Sequence, residues 1–593
     1  MYNKLNKFEK IVFDVLACSL VLFYSYSAVL KPAATQYHRG IYVIITYILV
    51  FLTYKSRNKI LRVVDYLLIA GSIFTVGYWI LNFEAINYRT GAETIFDQYV
   101  AIFGVLIGIE LARRVVGTVF VFMGVILLLY GVYGAYMPDL FAHAGDTFPQ
   151  VCTSIFYKSD GVFGIMANVL ATYVILFVLF GAFLEASGAQ RFFIDFPLAA
   201  VGHRIGGPGK VSVIASGLFG SISGSAIANT VSTGTFTIPM MKKAGFRPHV
   251  AGGIEPAASI SGMFMPPIMG AGGFIMAELT GMPYSYIMLV AIFPAFMYIF
   301  SVFMMVHYEA KIHNIRGDKS EHSAMYIFKT QWYYTMPLIG ITILMLTGFS
   351  PGYSAIIGIV ICIVISWFRK ETRIDLKGFV IASRKGAESS LKIGATVGVI
   401  GIIIGVLTYS GLVLTFADIV IELAEGKLWL TILLVALASL VLGMGVPVTA
   451  AYLITAVVAV PALTHLGVNE IAAHMIVYWL SQDSNITPPV CIAAFAGATI
   501  AKANMWRTAF ASFKFAKFLY LGPFLFGYVP AFSLDGTGWD IFKAFTLILL
   551  GTWAYSYFLS LHWLYFLNGS LAKKRAVQAE RMGTTQAGAK ASA

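Results

Sequence analysis

Apolar runs the length of a membrane helix recur along this chain, and they constrain its fold more than any other feature. A spanning helix needs about 20 mostly apolar residues to cross the hydrocarbon core of a bilayer. Charged residues make up 12% of the 593 residues, against about 25% in a soluble domain. We therefore predict an all-α polytopic membrane protein embedded in a lipid bilayer. The predicted spanning helices lie near residues 11–30, 40–54, 64–81, 98–112, 115–136, 164–184, 286–307, 333–348, 353–368, 393–411, 518–532 and 541–566.

Two further apolar stretches, 211–283 and 428–500, are crowded with Gly, Pro, Ser, Thr and Asn. We interpret each stretch as a re-entrant hairpin, near 211–240 and 428–464, followed by a broken helix, near 248–283 and 470–500. Lys210 precedes the first hairpin and Lys242 and Lys243 follow it, which predicts that this hairpin enters and leaves on the cytoplasmic side. The second hairpin has no basic cluster at its ends, and we predict that it enters from the opposite face.

The net charge is +13. We interpret the basic residues as signals that set the orientation of the helices in the membrane, because they form short clusters between apolar runs and not one basic face. We expect no nucleic-acid partner. With both hairpins re-entrant, most of the 41 Lys and Arg residues fall on the cytoplasmic side, in segments that include 369–392 and 502–517. Both termini are then predicted to be cytoplasmic. The exceptions are Lys31, Arg39, Arg89, Lys158, Lys427 and Lys543.

An internal repeat relates the two unusual stretches when the chain is aligned with itself at one fixed offset. Pro266 and Pro267 then align with Pro488 and Pro489, and eight identical pairs fall in 33 gapless positions, where about two or three are expected by chance for this composition. Since the hairpins are predicted to enter from opposite faces, the repeat is inverted. Inverted repeats with broken helices are typical of secondary transporters.

Each Pro-Pro pair lies inside an apolar segment, EPAASISGMFMPPIMG at 255–270 and LSQDSNITPPVCIAA at 480–494. Proline removes a backbone donor and interrupts a helix, so we predict two half-helices joined by an unwound loop in each segment. Unwound backbone is tolerated at membrane depth where it is buried in protein or lines a cavity. The alternative is an ordinary proline kink packed against neighbouring helices.

The predicted hairpin tips, GSISGSAIANT at 220–230 and GMGVPVTAAY at 443–452, carry small and neutral polar residues. Neutral oxygens suit a dehydrated Na⁺, and the N-termini of half-helices suit an anionic substrate. Close packing of small residues is the alternative explanation. The candidate oxygens at the tips belong to Ser223, Ser225, Asn229 and Thr449.

Glu255 and Asp483 are the acidic residues nearest the two predicted breaks. A carboxylate at membrane depth is costly to bury and is a functional candidate for that reason, so both are candidate protonation sites. A helix cap or an interhelical hydrogen bond is the alternative role for each. Asp483 aligns with Ser261 in the repeat, so one loop carries a carboxylate where the other carries a hydroxyl.

Three segments carry a resemblance to a known family: SGSAIANTVSTGTFTIPMMKKAGFRP, EPAASISGMFMPPIMGAGGFIMAE and SQDSNITPPVCIAAFAGATIAKANMWRT. They resemble the large membrane subunit of the TRAP (tripartite ATP-independent periplasmic) transporters, in the branch with TAXI-type binding proteins. The resemblance covers about residues 113–593. The four helices of 1–112 match the family's small subunit in number, position and topology, which implies a fused permease with a small-subunit-like scaffold domain at 1–112.

The resemblance implies an elevator-type transporter of the bacterial inner membrane that takes up a small carboxylate. It implies a TAXI-type soluble periplasmic binding protein as partner and Na⁺ or H⁺ as coupling ion, with no other cofactor. We expect a monomer. The implied substrate- or ion-binding residues are Ser223, Gly224, Ser225 and Asn229 in the first tip, Ser259, Ser261 and Gly262 in the first loop, Gly445, Val446 and Thr449 in the second tip, and Asp483, Ser484, Asn485 and Thr487 in the second loop. Ser223, Asn229, Thr449 and Thr487 are the candidate Na⁺ ligands.

Two other functions are compatible with parts of the sequence. A stand-alone cation/carboxylate symporter of the related elevator type would use the same hairpins without a binding protein, and the first four helices would then be accessory. A polytopic membrane enzyme is disfavoured, because the chain has no HExxH motif and no paired intramembrane carboxylates at helical spacing. The chain also lacks a GxxxxGK[ST] motif, which agrees with transport that does not hydrolyse ATP.

Overall fold

The computed structural model describes residues 2–56, 59–444 and 446–560, and over these residues the protein consists of helices with no β-strand. Ten of the described helices are long and apolar enough to cross a membrane. This confirms the predicted fold class, an all-α polytopic membrane protein. The candidate spans are Lys7–Val29, Leu61–Leu81, Ile95–Val115, Thr118–Tyr136, Ile165–Ala186, Tyr284–Ile312, Leu376–Tyr409, Val448–His465, Met505–Tyr528 and Gly538–Ser560.

The remaining helices complete the predicted pattern. Thr35–Thr53, Met336–Leu346 and Pro351–Ser366 correspond to the apolar runs near 40–54, 333–348 and 353–368. Pro351 opens its helix, where a missing N–H costs nothing, and the Ser350 hydroxyl caps it by accepting from Tyr353 N at 3.2 Å. Shorter helices that the apolar pattern did not predict are Phe148–Tyr157, Ala189–Val201, Ala324–Gln331 and Leu412–Leu423.

Both unusual stretches form the predicted hairpin and broken helix. The first hairpin consists of Gly207–Ser223 and Ala226–Lys243, and the first broken helix of Pro248–Phe264 and Gly270–Thr280. The second hairpin consists of Leu428–Leu442 and Val448–His465. The second broken helix consists of Glu470–Leu480, a short 3₁₀ turn at Asp483–Asn485, and Ile492–Ala501. Ala226–Lys243 and Val448–His465 have the same length and begin and end at aligned positions, so the repeat extends into the hairpins.

Two segments predicted to be cytoplasmic connections are helical instead. Leu376–Gly394 is amphipathic and lies against Ile175–Ala186, because its small residues permit close packing: a Cβ added at Gly386 would lie 2.7 Å from Leu179. Met505–Phe515 and Phe518–Tyr528 join into one apolar span. Lys514 and Lys517 therefore lie within a candidate span, where the sequence predicted a cytoplasmic segment.

The N-terminal helices pack directly on the rest of the chain. Trp79 stacks on Phe163 with ring centroids 3.7 Å apart. Asp14 accepts two hydrogen bonds from the Arg384 guanidinium, both 2.7 Å long. These contacts place the N-terminal helices against the helices that follow residue 112; the division into two domains at that residue stays a prediction.

Candidate functional site

The tip of the first hairpin lies on the first broken helix with backbone against backbone. Gly224 makes the turn in the left-handed region at φ 62°, and Ser225 caps the second arm by accepting from Ala228 N at 3.3 Å. A Cβ added at Gly262 would lie 2.2 Å from the carbonyl carbon of Gly220. Only glycine allows this approach, so the tip lies against the first broken helix. Gly262 itself lies near the end of the helix Pro248–Phe264 and not in the unwound loop, where the sequence analysis placed it together with Ser259 and Ser261.

The unwound segment of the first broken helix, 265–269, is held by two tyrosines. The Tyr478 hydroxyl lies 2.8 Å from Met263 O and 2.5 Å from Met269 O, at the two ends of the segment. The Tyr284 hydroxyl lies 2.9 Å from Pro267 O and 2.6 Å from Ile268 O. Carbonyls that lose their helical donors are thereby satisfied inside the protein, as burial at membrane depth requires. Sequence reasoning missed both tyrosines, because each lies in an apolar helix without a local motif.

Asn229, at the start of the second arm, bonds to the first arm of the hairpin and to the first broken helix. Its amide Nδ2 donates to Ser216 O at 2.8 Å and to Ser259 O at 3.3 Å, while the whole residue is fully buried. Its Oδ1 has no hydrogen-bond partner among the described residues. A buried amide oxygen without a partner is costly, so this atom is available for a ligand.

The second break carries the acidic residue that the sequence singled out. Asp483 is 3% exposed, and its Oδ1 has no hydrogen-bond partner within the described part of the chain. The neighbouring Gln482 Nε2 is also buried and unpartnered. Thr487 is satisfied, since its hydroxyl lies 2.5 Å from the Tyr520 hydroxyl. A carboxylate oxygen and an amide donor therefore lie unpaired at one unwound loop.

The tip of the second hairpin approaches this loop. A Cβ added at Gly443 would lie 2.6 Å from the Cβ of Ser484. Thr449, at the start of the second arm, is 4% exposed, and its Oγ1 has no partner among the residues the structure describes. Val446 is buried and could offer only backbone groups. Gly445, the remaining predicted residue of this tip, lies outside the described residues.

The two halves of the site meet through their aromatic residues. Phe264 of the first broken helix stacks on Trp479 of the second, with centroids 4.3 Å apart. A Cβ added at Gly272 would lie 2.1 Å from the Tyr478 ring, so the two broken helices cross in close contact. The arrangement brings each tip against a break and leaves buried polar atoms without partners, among them Asn229 Oδ1, Thr449 Oγ1, Gln482 Nε2 and Asp483 Oδ1.

Several predicted site residues form hydrogen bonds to backbone carbonyls two or three residues away in the chain. Ser261 Oγ donates to Ala258 O at 2.5 Å, and Asn485 Nδ2 donates to Gln482 O at 3.3 Å. Ser223 Oγ makes long contacts of 3.5 Å to Gly220 O and Ser225 O. Ser261 lies in the helix Pro248–Phe264 and not in the unwound loop that the sequence predicted, and the side chains of all three residues already have partners in this conformation.

Glu255 lies away from the tips, among the arms of the first hairpin. It is fully buried, and its carboxylate accepts hydrogen bonds from several serine and threonine hydroxyls, among them Ser216 Oγ at 2.6 Å. Each break thus has one buried carboxylate nearby, in different surroundings: neutral donors surround Glu255, and one oxygen of Asp483 is free.

Two hairpins closed over two broken helices, in a chain of spanning helices, define a polytopic membrane transporter. Residues 103–532 match the family described as "Tripartite ATP-independent periplasmic transporter, DctM component". The chain belongs to this family, and the match confirms the resemblance to the TRAP large permease.

Curated relatives agree with this assignment. The chain is 25% identical over 319 residues to a putative TRAP transporter large permease protein of Haemophilus influenzae, covering 53% of this chain and 74% of the relative. It is 23% identical over 398 residues to the C4-dicarboxylate TRAP transporter large permease protein DctM of Pseudomonas aeruginosa, covering 65% and 92%. The sialic acid TRAP transporter permease protein SiaT of Haemophilus influenzae is 24% identical over 334 residues, covering 55% and 52%.

Among solved structures, the YdaH transporter of Alcanivorax borkumensis superposes with a TM-score of 0.47 at 16% identity, covering 70% of this chain and 98% of that one.

Proposed function

We propose that this protein takes up a small organic acid across the bacterial inner membrane, driven by a Na⁺ or H⁺ gradient and by an elevator movement of the two hairpins with the two broken helices. The observation that carries the proposal is the presence of unpartnered buried polar atoms, Asn229 Oδ1, Thr449 Oγ1, Gln482 Nε2 and Asp483 Oδ1, at the tips and the second break. Buried polar groups almost always have a hydrogen-bond partner in native proteins, and we assign that role at these atoms to the substrate and the coupling ion.

The substrate class follows from the chemistry of the loops and from the relatives. The named relatives carry C4-dicarboxylates, sialic acid and 2,3-diketo-L-gulonate, all of them organic acids. No Lys or Arg occurs in 211–240, 250–283 or 428–500. An anionic substrate at the tips would be held by backbone N–H groups at the starts of Gly270–Thr280 and Ile492–Ala501, with neutral side chains as further donors.

Coupling is assigned to the second break. Asp483 is the one acidic residue between 471 and 500, and its free oxygen supplies the negative charge that a cation needs. A proton or a Na⁺ bound beside Asp483 would neutralise a buried charge, and Thr449 of the adjacent tip offers a further oxygen. Binding of the cation and of the substrate to the same tip and loop would couple them, because a site that holds only one of the two would move less readily than a site that holds both.

The partner is a soluble periplasmic binding protein of the TAXI type, with the fused small subunit at residues 1–112 as part of the scaffold. Contacts between the N-terminal helices and the permease support the scaffold role. Arg39 donates to Asn168 Oδ1 at 3.1 Å and to Phe163 O at 2.8 Å, and Asn168 Nδ2 in turn donates to Glu278 Oε1 at 2.8 Å.

The experiment is reconstituted uptake in proteoliposomes that contain the full chain. Radiolabelled organic acids are offered with and without a purified periplasmic binding protein of the TAXI type, under imposed Na⁺ or pH gradients. We expect saturable accumulation only when binding protein and gradient are both present. Full uptake without any binding protein would assign the chain to the stand-alone symporters, and absence of uptake under every gradient would contradict the proposal.

A further inference from the structure

The two hairpins differ in how they are bonded to their broken helices. In the first repeat, Asn229 Nδ2 donates to Ser259 O at 3.3 Å, and hydroxyls from both arms of the hairpin donate to the Glu255 carboxylate. In the second repeat, the Tyr452 hydroxyl lies 2.9 Å from His474 Nδ1, which is the one side-chain hydrogen bond between hairpin and broken helix among the described residues. The hydroxyls around Glu255 belong to Ser212, Ser216, Thr233 and Thr237.

Glu255 holds the two arms of the first hairpin on the first broken helix. It is fully buried, and donors at both of its oxygens satisfy an ionised carboxylate. Ser212 of the first arm donates at 2.5 Å, and Thr233 of the second arm donates at 2.5 Å. Moving this hairpin away would leave a buried carboxylate without its donors, which is strongly unfavourable.

The second repeat lacks most of the residues that make these bonds. At the offset that aligns the second arms of the two hairpins, an apolar residue takes the place of the carboxylate, of the amide and of one hydroxyl. Thr455 keeps the hydroxyl of Thr233, but this hydroxyl is buried without a partner in the described part of the chain. The apolar replacements are Val477 for Glu255, Ala451 for Asn229 and Ala459 for Thr237.

The closest approach of hairpin and broken helix shows the same difference. A Cβ added at Gly262 would lie 2.2 Å from the carbonyl carbon of Gly220, so the first hairpin touches its broken helix with main chain against main chain. The residue aligned with Gly262 is Ser484, and its side chain is what a Cβ at Gly443 would meet. The second hairpin therefore contacts its break through a side chain and not through the backbone.

The first arms of the hairpins differ in burial. Gly207–Ser223 has no exposed residue. On Leu428–Leu442, Leu437 is 61% exposed and Val441 is 55% exposed. One face of the second hairpin is thus uncovered, and segments with few buried contacts open at a lower free energy than the rest of a protein.

We propose that the second hairpin is the gate of the proposed site. Its arms, Leu428–Leu442 and Val448–His465, move away from the second broken helix to admit and release the ligand, while the first hairpin stays fixed on the first broken helix through Glu255. This is a separate and smaller movement than the elevator movement that carries both hairpins. The identity of the ligand rests on the proposed function, but the difference in mobility between the hairpins does not.

Hydrogen–deuterium exchange of the purified full chain in detergent, measured by mass spectrometry, compares the two second arms. Ala226–Lys243 and Val448–His465 are each 18 residues long and carry one proline at aligned positions, so they offer the same number of amides. We expect the amides of Val448–His465 to exchange at least about tenfold faster than those of Ala226–Lys243. Equal rates, or faster exchange in Ala226–Lys243, would overturn the proposal.

Two variants test whether Glu255 fixes the first hairpin. Glu255→Val and the milder Thr237→Ala each introduce the residue of the second repeat, and both should speed the exchange of Ala226–Lys243 while leaving that of Val448–His465 unchanged. The matched control is Glu185→Gln, which removes a half-exposed carboxylate paired with Lys385 at 3.1 Å and should change neither arm. Unchanged exchange of Ala226–Lys243 in the folded variants would overturn the role of Glu255.

Thiol labelling tests whether the second hairpin opens. Thr230 and Thr455 are both buried on second arms and both have unpartnered hydroxyls among the described residues, so each tolerates a conservative change to cysteine. In a chain whose native cysteines are replaced by alanine, Thr455→Cys should react with a water-soluble methanethiosulfonate at least about tenfold faster than Thr230→Cys. Equal rates, or a faster reaction of Thr230→Cys, would contradict the gate. Fast exchange and labelling in a chain that takes up no organic acid would contradict the proposed function alone, since both measurements are made without transport.

Discussion

Tyr298 and Tyr520 occupy equivalent positions of the two repeats, and each hydroxyl bonds to the broken helix of its own repeat. Tyr298 OH donates to Ala257 O at 2.8 Å, and Tyr520 OH lies 2.5 Å from Thr487 Oγ1. The aligned identities in 239–271 thus belong to a longer structural repeat, in which a tyrosine of a following helix bonds to each broken helix. The two repeats differ at their buried carboxylates, because Asp483 aligns with Ser261 and Glu255 aligns with Val477.

Replacing Tyr478 with Phe should destabilise the first break. The hydroxyl bonds to Met263 O and Met269 O, and its loss leaves buried carbonyls without a donor, at a cost of about 1 to 3 kcal/mol. Thermal unfolding in detergent would measure the loss. Tyr286→Phe is the matched control, because Tyr286 is 41% exposed and should leave the unfolding temperature unchanged. Equal stability of the two variants would show that the break does not depend on this hydroxyl.

Gly262→Ala should displace the first hairpin tip. The new Cβ would lie 2.2 Å from backbone carbon of Gly220, which no side-chain rotation can relieve, and overpacking of this kind costs about 1 to 3 kcal/mol. We expect lower thermal stability together with loss of uptake. Gly77→Ala has no atom within 4 Å of the added Cβ and serves as the control. Wild-type behaviour of Gly262→Ala would mean that tip and break are not in contact in the functional protein.

The two hairpins should be accessible from opposite faces of the membrane. Single cysteines replacing Arg204 and Lys243 should both react with an impermeant thiol reagent from the cytoplasm, and those replacing Lys427 and His465 from the periplasm. All four positions are exposed, whereas Lys210 is buried and unsuitable. Labelling of either pair from two sides would contradict the inverted repeat. The background lacks the native cysteines Cys18, Cys152, Cys362 and Cys491.

Asp483→Asn should separate exchange from accumulation. The variant keeps the side-chain shape but loses the negative charge that a coupling cation needs, so labelled substrate should still exchange while gradient-driven accumulation falls by about tenfold or more. A proton at this residue predicts that the loss appears under a pH gradient, and a Na⁺ predicts that it appears under a Na⁺ gradient. Undiminished accumulation under both gradients would show that Asp483 has only a structural role, as a helix cap at the second break.

Much of the architecture could be predicted because membrane helices are signalled by length and composition. The hairpins and breaks could also be predicted, since Gly-rich tips and Pro-Pro pairs are local signals. Tyr478 and Tyr284 could not be found this way, because their partners are carbonyls that lie outside their own helices. The hydroxyl groups around Glu255 could not be predicted for a similar reason: they come from three helices and are brought together only by packing. Leu376–Gly394 was missed because its buried face consists of small residues and carries little hydrophobicity.

The most direct test of the binding site is the uptake of Thr449→Val compared with Thr455→Val. Both threonines are buried on the same helix, and both hydroxyls are unpartnered in this conformation, so neither substitution breaks a described hydrogen bond. Thr449 lies at the hairpin tip, and Thr455 lies further along the same helix. If the tip binds substrate or coupling ion, Thr449→Val should raise the half-saturating concentration of one of them by about tenfold, equivalent to about 1.4 kcal/mol, and Thr455→Val should leave it unchanged. Equal, undiminished affinity in the two variants would contradict a binding site at the tip.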